Sequence, residues 1–233
     1  MPGYYTEKLA AERLRACYDL AGPRVQAYLE AEISFVLDRV SPAAAVLELG
    51  CGYGRVLQRL VPHARIVVGI DTSWQSLQMA RAFAAGARPP RLLAMDATRM
   101  GFRDHGFDLT VCIQNGVCAF ASDQVTLMKE AVRVTCPGGR VLFSSYAARF
   151  WDDRLDWFEA QAALGLIGPI DQKATGNGVI VCRDGFRATT IDADGFRRLA
   201  TALGLVPRIM EVDGSSLFCE IAVPKSQNGS LRE

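Results

Sequence analysis

The stretch Val46-Leu-Glu-Leu-Gly-Cys-Gly-Tyr-Gly-Arg55, followed by Ile66-Val-Val-Gly-Ile-Asp-Thr72, decides how this chain folds. An apolar run ends in a turn of alternating glycines, a helical segment follows, and a second apolar run ends in an acid. Glu48 and Asp71 lie 23 positions apart, about the span of one strand–helix–strand unit with the acid at the far strand tip. Gly50, Gly52 and Gly54 let the backbone turn sharply and approach a ligand, since glycine lacks a Cβ and tolerates positive φ. Asp71 is placed to accept hydrogen bonds from a ribose diol. Its competing reading is a turn aspartate capping the next helix, where Ser73 is the rival cap. The pattern as a whole is that of a nucleoside-cofactor site.

The spacing of the turn narrows the choice of cofactor. Dinucleotide-binding folds use G-x-G-x-x-G, whose third glycine packs the helix on the strand. Here the spacing is G-x-G-x-G, and Arg55 stands where that third glycine would be. Glu48, two residues before the first glycine, would sit badly beside a pyrophosphate and well beside a cofactor carrying an ammonium and a sulfonium.

Glu48, Gly50, Gly52 and Gly54 reproduce the pattern E/D-x-G-x-G-x-G, and residues 43–147 resemble the class I S-adenosylmethionine-dependent methyltransferases. The resemblance implies S-adenosyl-L-methionine as cofactor and S-adenosyl-L-homocysteine as product. It also implies a cofactor site of Glu48, Gly50, Cys51, Gly52 and Gly54 at the turn, Asp71 and Thr72 at the ribose, and Asp96 with the Ala97 amide at the adenine. Cys51 and Tyr53 occupy variable positions of the motif and carry no assigned chemistry. Asp96 otherwise reads as an exposed loop acid. Gln114, Asn115 and Gly116, after the fourth strand, should line the methyl donor on the side of the incoming nucleophile. Gln114 and Asn115 are the candidate catalytic residues. That loop reads Gln-Asn-Gly-Val without proline, unlike the N/D-P-P-Y/F motif of enzymes acting on exocyclic base amines or glutamine amides, which argues against those acceptors.

Length and composition fit this reading. At 233 residues the chain has room for one substantial α/β domain with an appendage. A net charge of +1 with interspersed signs gives no electrostatic footprint for nucleic acid or an anionic membrane. The seven cysteines are scattered, no C-x-x-C occurs and there are only two histidines, so no metal site is expected. Cys112, Cys182 and Cys219 lie in apolar runs and read as small core residues. Reduced thiols, and the lack of an apolar leader or membrane-length segment, point to a cytoplasmic protein.

Along the chain, residues 4–21 and 23–40 read as two amphipathic helices, with Pro23 in a first helical turn. Strands are expected at 45–49, 65–70, 91–95, 107–113 and 140–145, with helices starting at Arg55, at 74–85 behind Ser73, and at 123–136 behind Ser122. Pro137-Gly-Gly139 reads as a stop. Residues 149–165 look helical, Gly178–Arg183 and Gly185–Ile191 a hairpin, 193–203 a helix, and 206–212 with 216–223 a closing strand pair. The fold class is therefore α/β, a doubly wound Rossmann-like sandwich. By the family resemblance its seven-stranded sheet has the order 3-2-1-4-5-7-6. The expected single domain divides into a helical cap (1–40), a cofactor-binding core (41–147), an insertion (148–191), the last helix and strands (192–224) and a tail (225–233).

The expected function is methyl transfer from S-adenosylmethionine to a small-molecule nucleophile by in-line displacement. Protein or RNA methylation, a nicotinamide-dependent oxidoreductase and a non-catalytic cofactor sensor are the alternatives. His63 and His105 fall at the sheet edge away from the strand tips, where ligands do not bind, so neither is expected to be a general base. Tyr4 and Tyr5 read either as end residues or as part of a lid, with Tyr5 reaching the cofactor. Trp151, Trp157 and Phe158 read as core aromatics beside the acceptor pocket. The acceptor atom and the oligomeric state are not legible.

Overall fold

The computed structural model describes residues 4–83, 89–120 and 123–225. Seven strands form one sheet: β1 Ala45–Leu49, β2 Ile66–Asp71, β3 Arg91–Ala94, β4 Phe107–Cys112, β5 Thr135–Tyr146 and, beyond a small hairpin of β6 Ile180–Val181 and β7 Arg187–Ala188, β8 Arg208–Val212 and β9 Ser216–Ala222. The order is β3-β2-β1-β4-β5-β9-β8. Pairing is parallel from β3 through β5 and antiparallel for β9 and β8. Without the hairpin strands this is the expected 3-2-1-4-5-7-6. Strand order reverses at β1, so a crevice opens beyond the carboxyl ends of β1 and β4.

The helices are α1 Tyr4–Glu7, α2 Ala11–Asp19, α3 Pro23–Leu37, α4 Arg55–Leu60, α5 Trp74–Phe83, α6 Gly116–Ala119, α7 Gln124–Val134, α8 Trp151–Ala163 and α9 Ala193–Thr201. Alternation along the central strand divides the core. Val46 packs with Ile33 and Val36 of α3 and Leu57 and Leu60 of α4. Ala45, Leu47 and Leu49 face Leu127 and Ala131 of α7 and Phe196 and Ala200 of α9. A third cluster, at the carboxyl end of β5, joins Leu9 and Cys17 to Tyr146, Trp157, Phe158 and Phe186. At about 1.5–3 kcal/mol for each large apolar side chain buried, that cluster is itself a substantial source of stability.

Several expected boundaries move. The helix expected over 4–21 divides into α1 and α2, which lets Leu9 turn into the third cluster while the Ala11 amide donates to Ser76 Oγ at 3.0 Å. The helix from Pro23 ends at Leu37, not 40, and its buried face is shared: Val25, Tyr28 and Leu29 join the third cluster, Ile33 and Val36 the sheet. The loop at 114–121 contains a helical turn, α6. Asp123, not Ser122, caps α7 by accepting from the Thr126 amide at 2.9 Å. Ser122 lies outside the described residues, as do Gly86 and the tail from residue 226. Pro137-Gly-Gly139 does not stop the chain: β5 runs through it, with Phe107 paired to Thr135 and Leu109 to Arg140. A Cβ at Gly139 would sit 2.7 Å from the Asp108 carbonyl, so glycine there serves a close backbone approach.

Candidate active site

One cavity of about 780 Å³ opens at the strand tips. Its lining includes Glu48, Gly50, Cys51, Gly52, Asp71, Thr72, Asp96, Ala97, Gln114 and Asn115. The turn is left-handed at all three glycines, with φ +71° at Gly50, +52° at Gly52 and +86° at Gly54. A Cβ on Gly52 would meet Leu14 Cδ2 at 3.2 Å. Gly54 is not part of the lining; a Cβ there would meet that of Ala80 at 3.0 Å, so it serves the packing of the turn on α5. The Tyr5 side chain lies outside what the structure describes.

Asp71 does more than either sequence reading required. Its Oδ2 accepts from the Gly52 amide at 2.8 Å and its Oδ1 from the Ser73 amide at 2.7 Å. The carboxylate thus ties the glycine turn to the start of α5. The Thr72 amide donates to the same carboxylate, so of about four acceptor sites one remains for a ligand hydroxyl. Ser73 Oγ in turn accepts from the Ser76 amide, so both caps operate. Asp96 is exposed on the rim, with Oδ1 accepting from the amide and hydroxyl of Thr98 at 2.8 and 2.7 Å.

Glu48 is only 5 % exposed, and its Oε2 has no hydrogen-bond partner among the described residues. Burial pushes its carboxyl up to about 8; Arg55 draws it back down and Asp71 pushes it further up. A buried carboxylate without a donor is costly, and a cationic ligand group beside it would remove that cost. The side chains present therefore fit a cofactor with an ammonium and a ribose: an acceptor without a donor at Glu48, a spare acceptor site at Asp71, and a turn a Cβ would fill.

Gln114 and Asn115 both have left-handed backbones, at φ +57° and +59°. Such conformations cost on the order of 1–3 kcal/mol each and need support from their surroundings. For Gln114 the support is Glu32 on α3. The Gln114 amide donates to Glu32 Oε2 at 2.6 Å and to Ser144 Oγ at 2.8 Å, and the hydroxyls of Ser144 and Ser216 also donate to Glu32. Burial pushes the Glu32 carboxyl up to about 7 against these donors. The Gln114 side chain stays available: its Nε2 is buried without a partner among the described residues. Asn115 differs. Its Nδ2 donates to the Thr189 carbonyl at 2.9 Å and its Oδ1 accepts from Ser145 Oγ at 2.8 Å. Both ends of its amide tie the loop to β5 and to the segment before α9.

The far wall is apolar. It comes from Leu14, Cys17 and Tyr18 on α2, Tyr146 at the end of β5, Trp157, Phe158 and Gln161 on α8, and Phe186 and Ala188 of the hairpin. Trp157 and Phe158 are both core and lining, and Trp157 Nε1 donates to the Cys17 carbonyl at 2.8 Å. Gln161 is 3 % exposed on the same face of α8. His63 and His105 sit before β2 and β4, at the opposite edge of the sheet, and neither lines the cavity.

Arg55, Glu32, Gln161 and Tyr18 escaped the sequence reading. For Glu32 there was a signal: in Val25, Leu29, Glu32, Val36 it interrupts the apolar ladder of α3, and an acid on a buried stripe needs donors. Arg55 was noticed for what it replaced, not for what it presents. Tyr18 shares the apolar face of its helix with Leu14 and Cys17, which reads as core, and Gln161 carries no local pattern.

Residues 47–143 match a family model described as a methyltransferase domain. The chain is 30 % identical over 142 residues to the malonyl-[acyl-carrier protein] O-methyltransferase of Halorhodospira halophila (strain DSM 244 / SL1), covering 57 % of this chain and 48 % of that protein. It is 28 % identical over 143 residues to the 2-methyl-6-phytyl-1,4-hydroquinone methyltransferase of Synechocystis sp. (strain ATCC 27184 / PCC 6803 / Kazusa), covering 57 % and 43 %. It thus spans about half the length of the curated relatives it matches. Among solved structures it is similar to the PH0226 protein from Pyrococcus horikoshii OT3, with a TM-score of 0.66 and 23 % identity over 89 % of this chain and 94 % of that one. It is also similar to the N-methyltransferase NodS from Bradyrhizobium japonicum WM9 in complex with S-adenosyl-L-homocysteine, with a TM-score of 0.55 and 18 % identity over 92 % and 100 %. The family match thus lies across β1 to β5, and the likeness to these solved structures is one of fold.

Proposed function

We propose that this chain transfers a methyl group from S-adenosylmethionine to a small, largely apolar acceptor held between the glycine turn and the aromatic wall. The observation that carries the reading is the division of one cavity into an acidic side, with Glu48, Asp71 and Asp96, and an uncharged side of rings and amides. On this reading Glu48 holds the cofactor ammonium, Gly50, Cys51 and Gly52 form the floor, Asp71 and Thr72 meet the ribose, and Asp96 and Ala97 meet the adenine. S-adenosylmethionine, when bound, supplies a methyl group already activated by its positive sulfur.

What the chain adds is position and dryness. Leu14, Tyr18, Tyr146, Trp157, Phe158 and Phe186 exclude water from the reacting side, and Gln114 and Gln161 offer amides to orient a polar group on the acceptor. Orientation of this kind lowers barriers by roughly 7–11 kcal/mol in favourable systems. The wall supplies no base at neutral pH: burial pushes the Cys17 thiol up to about 12 and the Tyr146 phenol well above its ordinary value. The acceptor therefore brings its own nucleophile, as a thiolate or a neutral amine does.

The phytyl hydroquinone in one relative's name supports an apolar acceptor, whereas the malonyl group in the other's is an acid carried on a protein. A cytoplasmic setting is supported by seven cysteines without a disulfide. No helix of the described residues is long and apolar enough to cross a membrane. A net charge of +1 supports a non-nucleic-acid acceptor. The test is to incubate the protein with methyl-labelled S-adenosylmethionine and a metabolite extract, then identify the labelled product. A labelled apolar metabolite is expected; label only in protein or RNA would contradict the proposal.

A further inference from the structure

An acid and a base flank the glycine turn, Glu48 buried and Arg55 half-buried. Glu48 precedes it on β1, and Arg55 follows it as the first residue of α4. Glu48 Oε2, Arg55 Nε and Arg55 Nη2 are all buried, and none has a hydrogen-bond partner among the described residues. Both side chains line the same cavity, where Arg55 is the one cation among the described lining residues, against three carboxylates. The guanidinium carbon lies 4.8 Å from the centre of the Tyr18 ring, so the cap presses the head group against the turn without using its donors. A guanidinium is always charged and presents its donors as a fork matched to a carboxylate. Keeping Nε and Nη2 buried without an acceptor is costly, and a ligand anion is the group that removes the cost.

We propose that Arg55 binds the α-carboxylate of the cofactor, so that Glu48 and Arg55 together hold the two charges of its amino-acid arm. This rests on the S-adenosylmethionine reading above. A zwitterion carries its ammonium and carboxylate on one carbon, which suits opposite charges set on either side of a five-residue turn. An acidic acceptor is the competing ligand for the same fork. The cofactor is favoured because Glu48, the acid whose carboxyl feels Arg55, is the group expected at the ammonium.

Calorimetry on the full chain separates the possibilities with three probes: S-adenosylhomocysteine, the decarboxylated form of S-adenosylmethionine, and 5′-methylthioadenosine, which lacks the amino-acid arm. The wild-type protein should bind S-adenosylhomocysteine at least tenfold more tightly than the decarboxylated probe. Arg55→Met should remove that preference by weakening S-adenosylhomocysteine at least tenfold, with 5′-methylthioadenosine unchanged, and Arg55→Lys should recover part of the loss. The proposal is overturned if Arg55→Met binds S-adenosylhomocysteine as the wild type does, even if methyl transfer falls, since Arg55 would then face the acceptor. Equal weakening of S-adenosylhomocysteine and 5′-methylthioadenosine would also overturn it, marking Arg55 as a support for the cap. If the wild-type protein binds neither, the cofactor reading itself fails.

Discussion

At the tips of β1 and β2 and just beyond β3 the cavity presents three carboxylates and a glycine turn; across it, α2, α8 and the β6–β7 hairpin present rings and amides. The first wall is continuous with the sheet and shares its core. The second belongs to a separate apolar cluster and is tied by a handful of polar links. Arg13 donates to the carbonyls of Leu166 and Gly165 at 2.7 and 2.6 Å, and Tyr4 donates to Asp184 Oδ2 at 2.5 Å. The contrast suggests a division of labour in which the sheet wall holds the cofactor and the cap wall selects the acceptor. Within the expected cap of residues 1–40, α3 spans both walls: Val25, Tyr28 and Leu29 join the third cluster, and Ile33 and Val36 pack on the sheet.

The contrast breaks most visibly at the turn. Gly52→Val would place a branched side chain at φ +52° and into the Leu14 contact. Binding of S-adenosylhomocysteine should fall more than a hundredfold, a loss of about 3 kcal/mol, in a protein whose circular dichroism is unchanged. Retained affinity would mean that the turn is not the cofactor floor. Asp71→Ala should weaken the same ligand by about 1.5–3 kcal/mol, the range for a hydrogen bond to a charged acceptor. An unaltered calorimetric titration of folded Asp71→Ala would remove Asp71 from the site.

Much of the sheet wall was legible because its information is local. Glu48, the glycines and Asp71 lie within one strand–helix–strand unit, and alternating burial on adjacent strands marks the rest. The cap wall draws on residues 9–18, 146–161 and 186–188, which are adjacent only after folding. Trp157 and Phe158 could be seen as aromatic and helical, but nothing in their spacing said that they face a cavity. Asn115 shows the same limit within the motif's own loop: its amide bonds to Ser145 and Thr189, which only folding brings beside it.

Glu32 joins the two walls' supports, since it sits on α3 and holds the Gln114 loop. Its carboxyl, ordinarily near 4.5, is pushed up to about 7 by burial. The folded protein therefore binds this proton more tightly than the unfolded chain. The resulting contribution to stability is fully present below about pH 4.5 and is lost as pH rises through 7. Urea unfolding at pH 5 and pH 8 should show Glu32→Gln gaining on the wild type at the higher pH by on the order of 2 kcal/mol. A difference between the two proteins that does not change with pH would show that Glu32 keeps its ordinary carboxyl.

The smallest effect falls on the cap wall. Once an acceptor is known, Gln161→Leu should raise its KM about five- to tenfold, or about 1 kcal/mol, while S-adenosylhomocysteine affinity stays unchanged. A matching loss of cofactor affinity would show that the two walls do not divide the work.

The central claim is that the cavity at the strand tips is built for S-adenosylmethionine and not for a dinucleotide. Calorimetric titration of the full chain with S-adenosylmethionine, S-adenosylhomocysteine and NAD tests it most directly. The account predicts saturable binding of the first two with no response to NAD, and no response for either adenosyl ligand in Gly52→Val. Tight NAD binding with silence towards S-adenosylmethionine would contradict it.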